Sequence, residues 1–513
     1  MPIRNNITTQ KKYGVVYTPE WIVDLILQKT LATKDLTRVK ICDPSCGEGA
    51  FLVKAAAKII NHVDDKNLCA ILQNNITGFD LDRQALTRCR QNLDHLLAKN
   101  GIRQRVSWNL IPLDSSDKKA MTPYFGAFDL IVGNPPYIRI QHLGAERRQK
   151  IAAAWPLAGH GCADMYIAFF ELAIKLLSSG GAIGYITPNT YLRTAAGKRL
   201  RDFLAHHNLL ESLIDFGPHQ LFRGVSTYSL ITVLRKNTAR RKVSLYRFDG
   251  QNICANGKIT VSQLQENGWV LGDSSVLQKI TAIKKRGTPL GEIADICVGV
   301  QTLADDVFVL EKIGEKGGYV ECRTVDGQSV NLEKGALLPI LKASVMKEGR
   351  DIKERVIICP YDQSNLIKPW LLPEQTLAAR FPCLYAYLSA HKKRLLQRDK
   401  GGINKLRWYA YGREMNLAKT LGDKILTAGI NKMPNFMRCP HPHHTFYAGY
   451  AVKPKQGMGI EKLLAQLNSD DMDFFIRHTS RDYQNGWKSF AKAFIKDFGV
   501  FSDNQHRYSG KLL

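Results

Sequence analysis

The run DPSCGEG, residues 43–49, sets a carboxylate, a hydroxyl and two glycines side by side. Gly47 and Gly49 let the backbone turn tightly and come close to a ligand beside a helix N-terminus. The run lacks the G-x-G-x-x-G spacing and no Lys-Ser or Lys-Thr follows it, which argues against a phosphate cradle. The carboxylate of Asp43 would repel a pyrophosphate and suits a ligand carrying an ammonium or hydroxyls. Asp80 stands where a ribose would offer its two hydroxyls, and Asp114 where an adenine amino group could be accepted. Singly, each aspartate also reads as a helix N-cap or a turn residue. Together with the glycine loop, the three describe S-adenosylmethionine better than any nucleotide. A further cluster is stiffer. In VGNPPYIR, from Val132, two prolines lack N–H groups, fix their own backbone angle and hold the residue before them extended. Asn134, Pro135, Pro136 and Tyr137 therefore form a rigid loop.

Each cluster ends an apolar run. Residues 39–43, 76–79, 106–113 and 128–132 read as strands. Helical spacing follows at 50–60, 83–99 and 165–177, and more strands are expected at 180–188, 209–216 and 226–235, the last from its β-branched and aromatic content. Strands alternating with helices of ten or more residues predict an α/β fold with a largely parallel, doubly wound sheet. Ligands of such sheets bind at the carboxyl ends of the strands, and the clusters fall there. Beyond about residue 239 the pattern changes to strand-like runs, such as 294–300 and 356–359, separated by long polar or glycine-rich stretches. At 513 residues two domains are expected, with the division set at 245/246.

Hydrophobic residues make up 44% and charged residues 23%, as in a soluble globular protein. No apolar run approaches the roughly 20 residues that cross a bilayer, and no charged-then-apolar leader starts at Met1. A cytoplasmic location away from membranes is expected. The eleven cysteines show no even framework, and Cys42, Cys297 and Cys359 sit inside apolar patterns, which is reduced, buried usage. The net charge of +26 is shared: 31 Lys and Arg stand against 19 Asp and Glu over residues 1–240, and 41 against 27 over the rest. A folded chain that is basic throughout predicts a polyanionic partner, with nucleic acid first.

Four stretches carry a resemblance to a known family: YTPEWIVDLI (17–26) ahead of the DPSCGEG loop, VGNPPY, DMYIAFFELA (164–173) with SSGGAIGYITPNTYL, and QLFRGVSTYSLITVLR (220–235). The chain resembles the gamma-class adenine-N6 DNA methyltransferases of restriction-modification systems, the Taq-type enzymes. The order of cofactor helix, cofactor loop, catalytic loop and carboxyl-terminal recognition region is the gamma arrangement. The resemblance implies a Rossmann-like S-adenosylmethionine-dependent catalytic domain over residues 1–245 and a mixed α+β target-recognition domain over 246–513. It implies cofactor contacts at Thr18, Asp43, Ser45, Gly47, Asp80, Leu81, Asp114, Ser115, Asn134 and Phe169. Ser115 departs from the apolar residue often found beside that aspartate. In the implied reaction the Asn134 side-chain oxygen and the Pro135 carbonyl accept from the two N–H groups of an adenine amine, drawing it towards a tetrahedral shape and freeing its lone pair. The nitrogen can lose its proton after the methyl arrives, so an amide that does not titrate is adequate. A base inside the duplex is out of reach and must be extruded. Tyr137 is implied to stack on it, and Phe222 on its opposite face.

The second domain is large enough to choose a sequence. Residues 391–413 interleave Lys and Arg with Trp408, Tyr409 and Tyr411. Arg139, Lys392, Lys393, Arg394, Arg407, Trp408 and Tyr409 are the expected DNA contacts, the basic ones on phosphates. LGDKILTAGINKMPNF and RDYQNGWKSFAKAFIKD resemble parts of the Taq-type recognition domain. CPHPHHTF (439–446) has poor spacing for zinc, and its prolines suggest an exposed loop, so no metal is expected. With the cofactor helix beginning around Tyr13, any cognate restriction endonuclease is expected to be a separate polypeptide, and a monomer is expected. Competing readings are a methyltransferase of RNA, of protein glutamine or of the cytosine amino group, and a non-catalytic nucleic-acid-binding protein on the same fold.

Overall fold

The apolar runs of the first half assemble into one sheet, and their lengths explain how. β1 (Ile41–Asp43), β2 (Ile76–Asp80), β3 (Asn109–Pro112), β4 (Phe128–Gly133) and β5 (Leu177–Pro188) lie parallel in the order β3-β2-β1-β4-β5. β1 and β4 are buried almost throughout, as strands covered on both faces must be. β7 (Ser229–Arg235) inserts antiparallel between β5 and β6 (Leu210–Asp215), and β8 (Lys242–Phe248) and β9 (Ile253–Thr260) complete nine strands. The computed structural model describes residues 18–501 except 33, 65, 160, 223–226, 237–241, 265–267, 347–352, 365–366, 368, 402–406, 414–416 and 456. The expected beginnings of the cofactor helix around Tyr13 and of the last strand at Ser226 lie outside the described residues.

Helix Arg83–Lys99 matches its expected bounds because Asp82 caps it, accepting from the Gln84 and Ala85 N–H groups. Helix Ala50–His62 follows Gly49 at φ 89°, where a Cβ would meet Cys89 Sγ at 2.5 Å, so the turn that launches it requires glycine. Ile22, Ile26 and Leu27 of helix Glu20–Leu31 pack with Ala182, Ile186, Ile214 and Val233 of the sheet in one core. Each fully buried aliphatic side chain contributes roughly 1.5–3 kcal/mol.

The chain divides into two compact units, Met1–Gln278 and Lys279–Leu513. A division at 245/246 would cut through β8, which hydrogen-bonds to β6 on one side and β9 on the other. The second unit holds a six-stranded sheet and a four-stranded sheet, the latter made of Ala294–Val298, Gly449–Pro454, Ile425–Ala428 and Phe436–Arg438. Its main core gathers Phe308, Leu310, Ile357, Leu384, Trp408 and Tyr409. Beneath it Arg398 is buried, donating to the carbonyls of Leu395, Thr302, Ala410 and Trp408. Among the described residues no helix is long and apolar enough to cross a membrane.

Candidate active site

β1 delivers Asp43 to the glycine loop, where Oδ1 accepts from the Ser45 N–H at 2.9 Å. Asp43 is 2% exposed. Burial pushes its carboxyl up to about 8, the Ser45 N–H opposes the shift and the Asp80 charge adds to it. β2 delivers Asp80, whose Oδ2 accepts from the Gly47 N–H at 2.8 Å and Oδ1 from the Asp82 N–H at 2.9 Å. Burial raises this carboxyl too, against the pull of those two bonds. The glycine loop and the second aspartate are thus tied together, and Leu81 beyond them is exposed.

Past β3, Asp114 Oδ1 accepts from the Ser116 N–H at 2.9 Å and its hydroxyl at 2.6 Å. Its Oδ2 pairs with Arg147 Nη2 at 2.9 Å, a partner from helix Ala145–Ala154 that sequence reasoning missed. The hydroxyls of Ser45 and Ser115 are buried and have no hydrogen-bond partner within the protein. A buried polar atom without a partner is costly unless a ligand satisfies it. Three carboxylates, two waiting hydroxyls and a glycine loop fit a ligand with an ammonium, ribose hydroxyls and an adenine, the groups of S-adenosylmethionine.

β4 ends at Gly133, φ 153°, where a Cβ would lie 2.8 Å from Asp43 Oδ1. Glycine there lets the proline loop leave the sheet directly past that carboxylate. Asn134 Nδ2 donates to Thr18 Oγ1 at 3.2 Å, which fixes the amide and directs Oδ1, itself buried, to the other side. Pro135 is buried, and Pro136 and Tyr137 are half-buried. Downstream, the Ile140 N–H donates to the Ala163 carbonyl and the Met165 N–H to the Ile138 carbonyl, pinning the loop to the start of helix Met165–Leu176. Phe169 is buried on that helix. Arg139 is exposed beside Asp164, whose carboxyl is raised by burial and held back by Arg139 and His142.

The Tyr137 and Phe222 rings meet, with centroids 6.4 Å apart and planes at 68°. They form an edge-to-face pair, whereas two plates bracketing a base would be parallel; Phe222 is packed in the first unit's core. The Tyr137 hydroxyl reaches the Ile186 carbonyl at 3.5 Å, and burial raises its pKa. Tyr185, which no motif flagged, pairs with Gly133 in the β4–β5 register; it is fully buried and its hydroxyl has no partner within the protein. The only sequence signal was a hydroxyl inside the apolar run GYITP.

The 391–413 stretch differs most from expectation. Trp408 and Tyr409 are core residues, 1% and 2% exposed, and cannot offer ring faces to DNA. Their polar tips are engaged inside, Trp408 Nε1 on Glu374 and the Tyr409 hydroxyl on the Leu372 carbonyl. Arg394 forks onto Asp306 at 3.0 and 3.1 Å, and Lys392 lies 4.6 Å over the Trp408 ring. Lys392, Lys393, Arg394 and Arg407 are exposed. In CPHPHHTF, Cys439 Sγ donates to the His441 carbonyl and the His441 and His444 rings lie 4.5 Å apart. Among the described residues no group of three or more potential ligands could hold a metal ion.

Residues 74–222 match the Eco57I restriction-modification methylase family. That span contains Asp80, Asp114 and Asn134 and ends at Phe222. The chain is 24% identical over 497 residues to the Escherichia coli type II restriction enzyme and methyltransferase RM.Eco57I, across 81% of this chain and 49% of the relative, so it spans about half of that protein. It is 25% identical over 517 residues to the type II methyltransferase M.BstVI of Geobacillus stearothermophilus, across 92% of this chain and 87% of the relative. Its fold is similar to that of the type IIL restriction-modification enzyme MmeI, solved in complex with DNA, at a TM-score of 0.58 and 11% identity, covering 93% of this chain and 65% of that one. The chain is a relative of the type II methyltransferases and carries the Eco57I restriction-modification methylase match from residue 74 to residue 222.

Proposed function

We propose that the chain is a DNA methyltransferase of a restriction-modification system, acting on the exocyclic N6 amine of an adenine flipped out of duplex DNA. The carrying observation is the Asn134–Pro135 corner at the end of β4, oriented by Thr18 and set against Asp43. Asn134 Oδ1 and the Pro135 carbonyl accept from the two N–H groups of the amine. That pull turns the nitrogen out of conjugation, so its lone pair can attack in line. The proton leaves once alkylation has lowered its pKa, and no titrating base is needed. Tyr137 stacks on the extruded ring, and the edge-to-face Phe222 must swing as the base enters. Stacking of this kind is worth roughly 1–3 kcal/mol per base, comparable to the few kcal/mol of unstacking.

Thr18, Asp43, Ser45, Gly47, Asp80, Leu81, Asp114, Ser115 and Phe169 would hold S-adenosylmethionine. When bound, that cofactor supplies an electrophilic methyl group. Asp43 would face its ammonium, Asp80 its ribose hydroxyls and Asp114 its adenine. Duplex DNA is the proposed substrate, a cognate restriction endonuclease activity the proposed counterpart, and a monomer the proposed state. The test is transfer of label from radiolabelled S-adenosylmethionine to duplex DNA, followed by digestion and chromatography of the nucleosides. Label in N6-methyladenine is expected. Label in cytosine, RNA or protein instead, or in nothing, refutes the reading.

A further inference from the structure

Exposed pairing of basic and aromatic side chains, expected at residues 391–413, is found elsewhere in the second unit. A cleft of about 590 Å³ opens between residues 298–306, 428–430 and 448–450. The Gly299 N–H, donating to the Gly449 carbonyl, ties two of these segments together. Val298, Leu303 and Ile430 are large apolar side chains left exposed on its walls, and the Tyr450 ring lies over Gly429. Strand Ile430–Asn431 pairs with Lys488–Ser489, which brings exposed Met433 and Trp487 beside the cleft.

Three features separate this face from an ordinary surface. Exposed apolar side chains gathered in one place mark a binding surface, where scattered ones do not. Of five non-glycine residues with left-handed backbone among those described, two line it: Leu303 at φ 58° and Ala448 at 55°. Such conformations carry strain and collect at ligand sites. Two cations beside the adjoining strand pair are also uncommitted. Lys432 lies 5.8 Å over the Trp487 ring and Arg481 5.4 Å over the Tyr483 ring, and neither has a carboxylate within ion-pairing distance among the described residues. The cleft's own acids are engaged, Asp305 by the Thr302 hydroxyl and Asp306 by Arg394.

We propose that this face reads the target duplex, an inference that rests on the DNA methyltransferase reading. Leu303 and Ile430 contact apolar base edges, above all thymine methyls in the major groove. Lys432 and Arg481 take phosphates, held in place by the rings beneath them. An apolar floor with free cations at its rim complements a polyanion whose base edges are partly apolar. A protein partner would need carboxylates to meet those cations.

The test uses the full chain carrying Leu303→Gly, which keeps the left-handed backbone, or Ile430→Ala, Trp487→Ala or Lys432→Ala. Single-molecule sequencing first identifies the methylated sequence in DNA from cells expressing the wild type. Affinities for that duplex and for single-mismatch duplexes are then measured against salt. Leu303→Gly and Ile430→Ala are expected to cut discrimination at one base pair about tenfold. Lys432→Ala is expected to weaken all duplexes alike and lower the salt slope by about one. Melting temperatures equal to wild type exclude misfolding, and Lys432→Ala, a surface change, keeps the test open if an apolar variant fails to fold. Variants that melt as wild type, keep its sequence preference and bind within twofold overturn the inference while the methyltransferase reading stands. A wild type that methylates no DNA overturns both.

Discussion

If Asp43 faces the cofactor's ammonium as proposed, cofactor binding becomes a proton-release reaction. Burial, opposed by the Ser45 N–H and reinforced by Asp80, pushes its carboxyl up to about 8. The groups around it add no cation: Cys42, Tyr185 and Asp80 all become more negative as they ionise. At pH 7 the acid form therefore outnumbers the carboxylate about tenfold, a difference of about 1.4 kcal/mol. An ammonium needs the carboxylate, so binding at pH 7 should release close to one proton. Affinity for S-adenosylmethionine should strengthen nearly tenfold from pH 6 to 7 and about threefold more from 7 to 8, where the ligand's own α-amino group, ordinarily about 7.7–8.0, is losing its proton, and decline above that. The stability of the free protein should run the opposite way. Because the folded pKa lies above the unfolded one, the native state holds a proton that the unfolded chain has lost between about pH 4 and 8, and this group destabilises the fold as pH rises through that window. Isothermal titration calorimetry in two buffers of different ionisation enthalpy counts the released proton directly. Asp43→Asn should bind more weakly, release no proton and flatten the profile. A wild-type affinity that is flat from pH 6 to 8, with buffer-independent heats, would refute the pairing.

Other perturbations address other parts of the chain. Asn134→Ala should lower kcat by about 10²–10³-fold, by analogy with the loss of one preorganised hydrogen-bond donor to a developing oxyanion, while equilibrium dialysis finds cofactor affinity within a few-fold of wild type; near-normal turnover removes Asn134 from the chemistry. Arg147→Ala frees Asp114 for an adenine amino group, and because the pair is well exposed cofactor binding should tighten by no more than about fivefold, less at high salt; weaker binding would mean that Arg147 itself holds the cofactor. Arg398→Ala strands four carbonyls in the second unit's core and should destabilise that unit by about 3–5 kcal/mol in urea unfolding; Arg398→Lys should not restore it, because an ammonium lacks the planar fork.

The first sheet was legible because its strands are short apolar runs ended by residues that cannot continue them. Asp82 and the spacing after it gave helix Arg83–Lys99 to the residue. The sheet's far edge was hidden, since β8 alternates buried and exposed positions and β9 is exposed or half-buried at all but one position, so they read as part of a different domain. Motifs named Asp43, Asp80, Asp114 and Asn134, yet the tie between Asn134 and Thr18 joins residues 116 apart and leaves no local pattern. The same holds for Arg147 on Asp114 and for Tyr185 beside Gly133. Residues 391–413 misled because composition does not say which way a ring points. Trp408 and Tyr409 face inward, whereas Trp487, in a stretch resembling the recognition domain, faces out.

The choice of an amide at position 134 follows from its neighbours. Asp43 is already driven towards its neutral form by burial and by the Asp80 charge, and Asp80 by burial and by the Asp82 charge. A third carboxyl at position 134, one residue beyond the glycine that passes Asp43 Oδ1, would be raised by like charge and desolvation. A protonated acid carries a donor where the reaction needs an acceptor, and the amide keeps its acceptor at every pH. Asn134→Asp therefore separates geometry from charge. Its kcat should be low at neutral pH and climb as the new carboxylate forms, with the wild-type rate showing no such rise. If Asn134→Asp instead gives a rate parallel to wild type from pH 6 to 9, the ionisation state of that atom does not matter, and the two-acceptor account of amine activation fails.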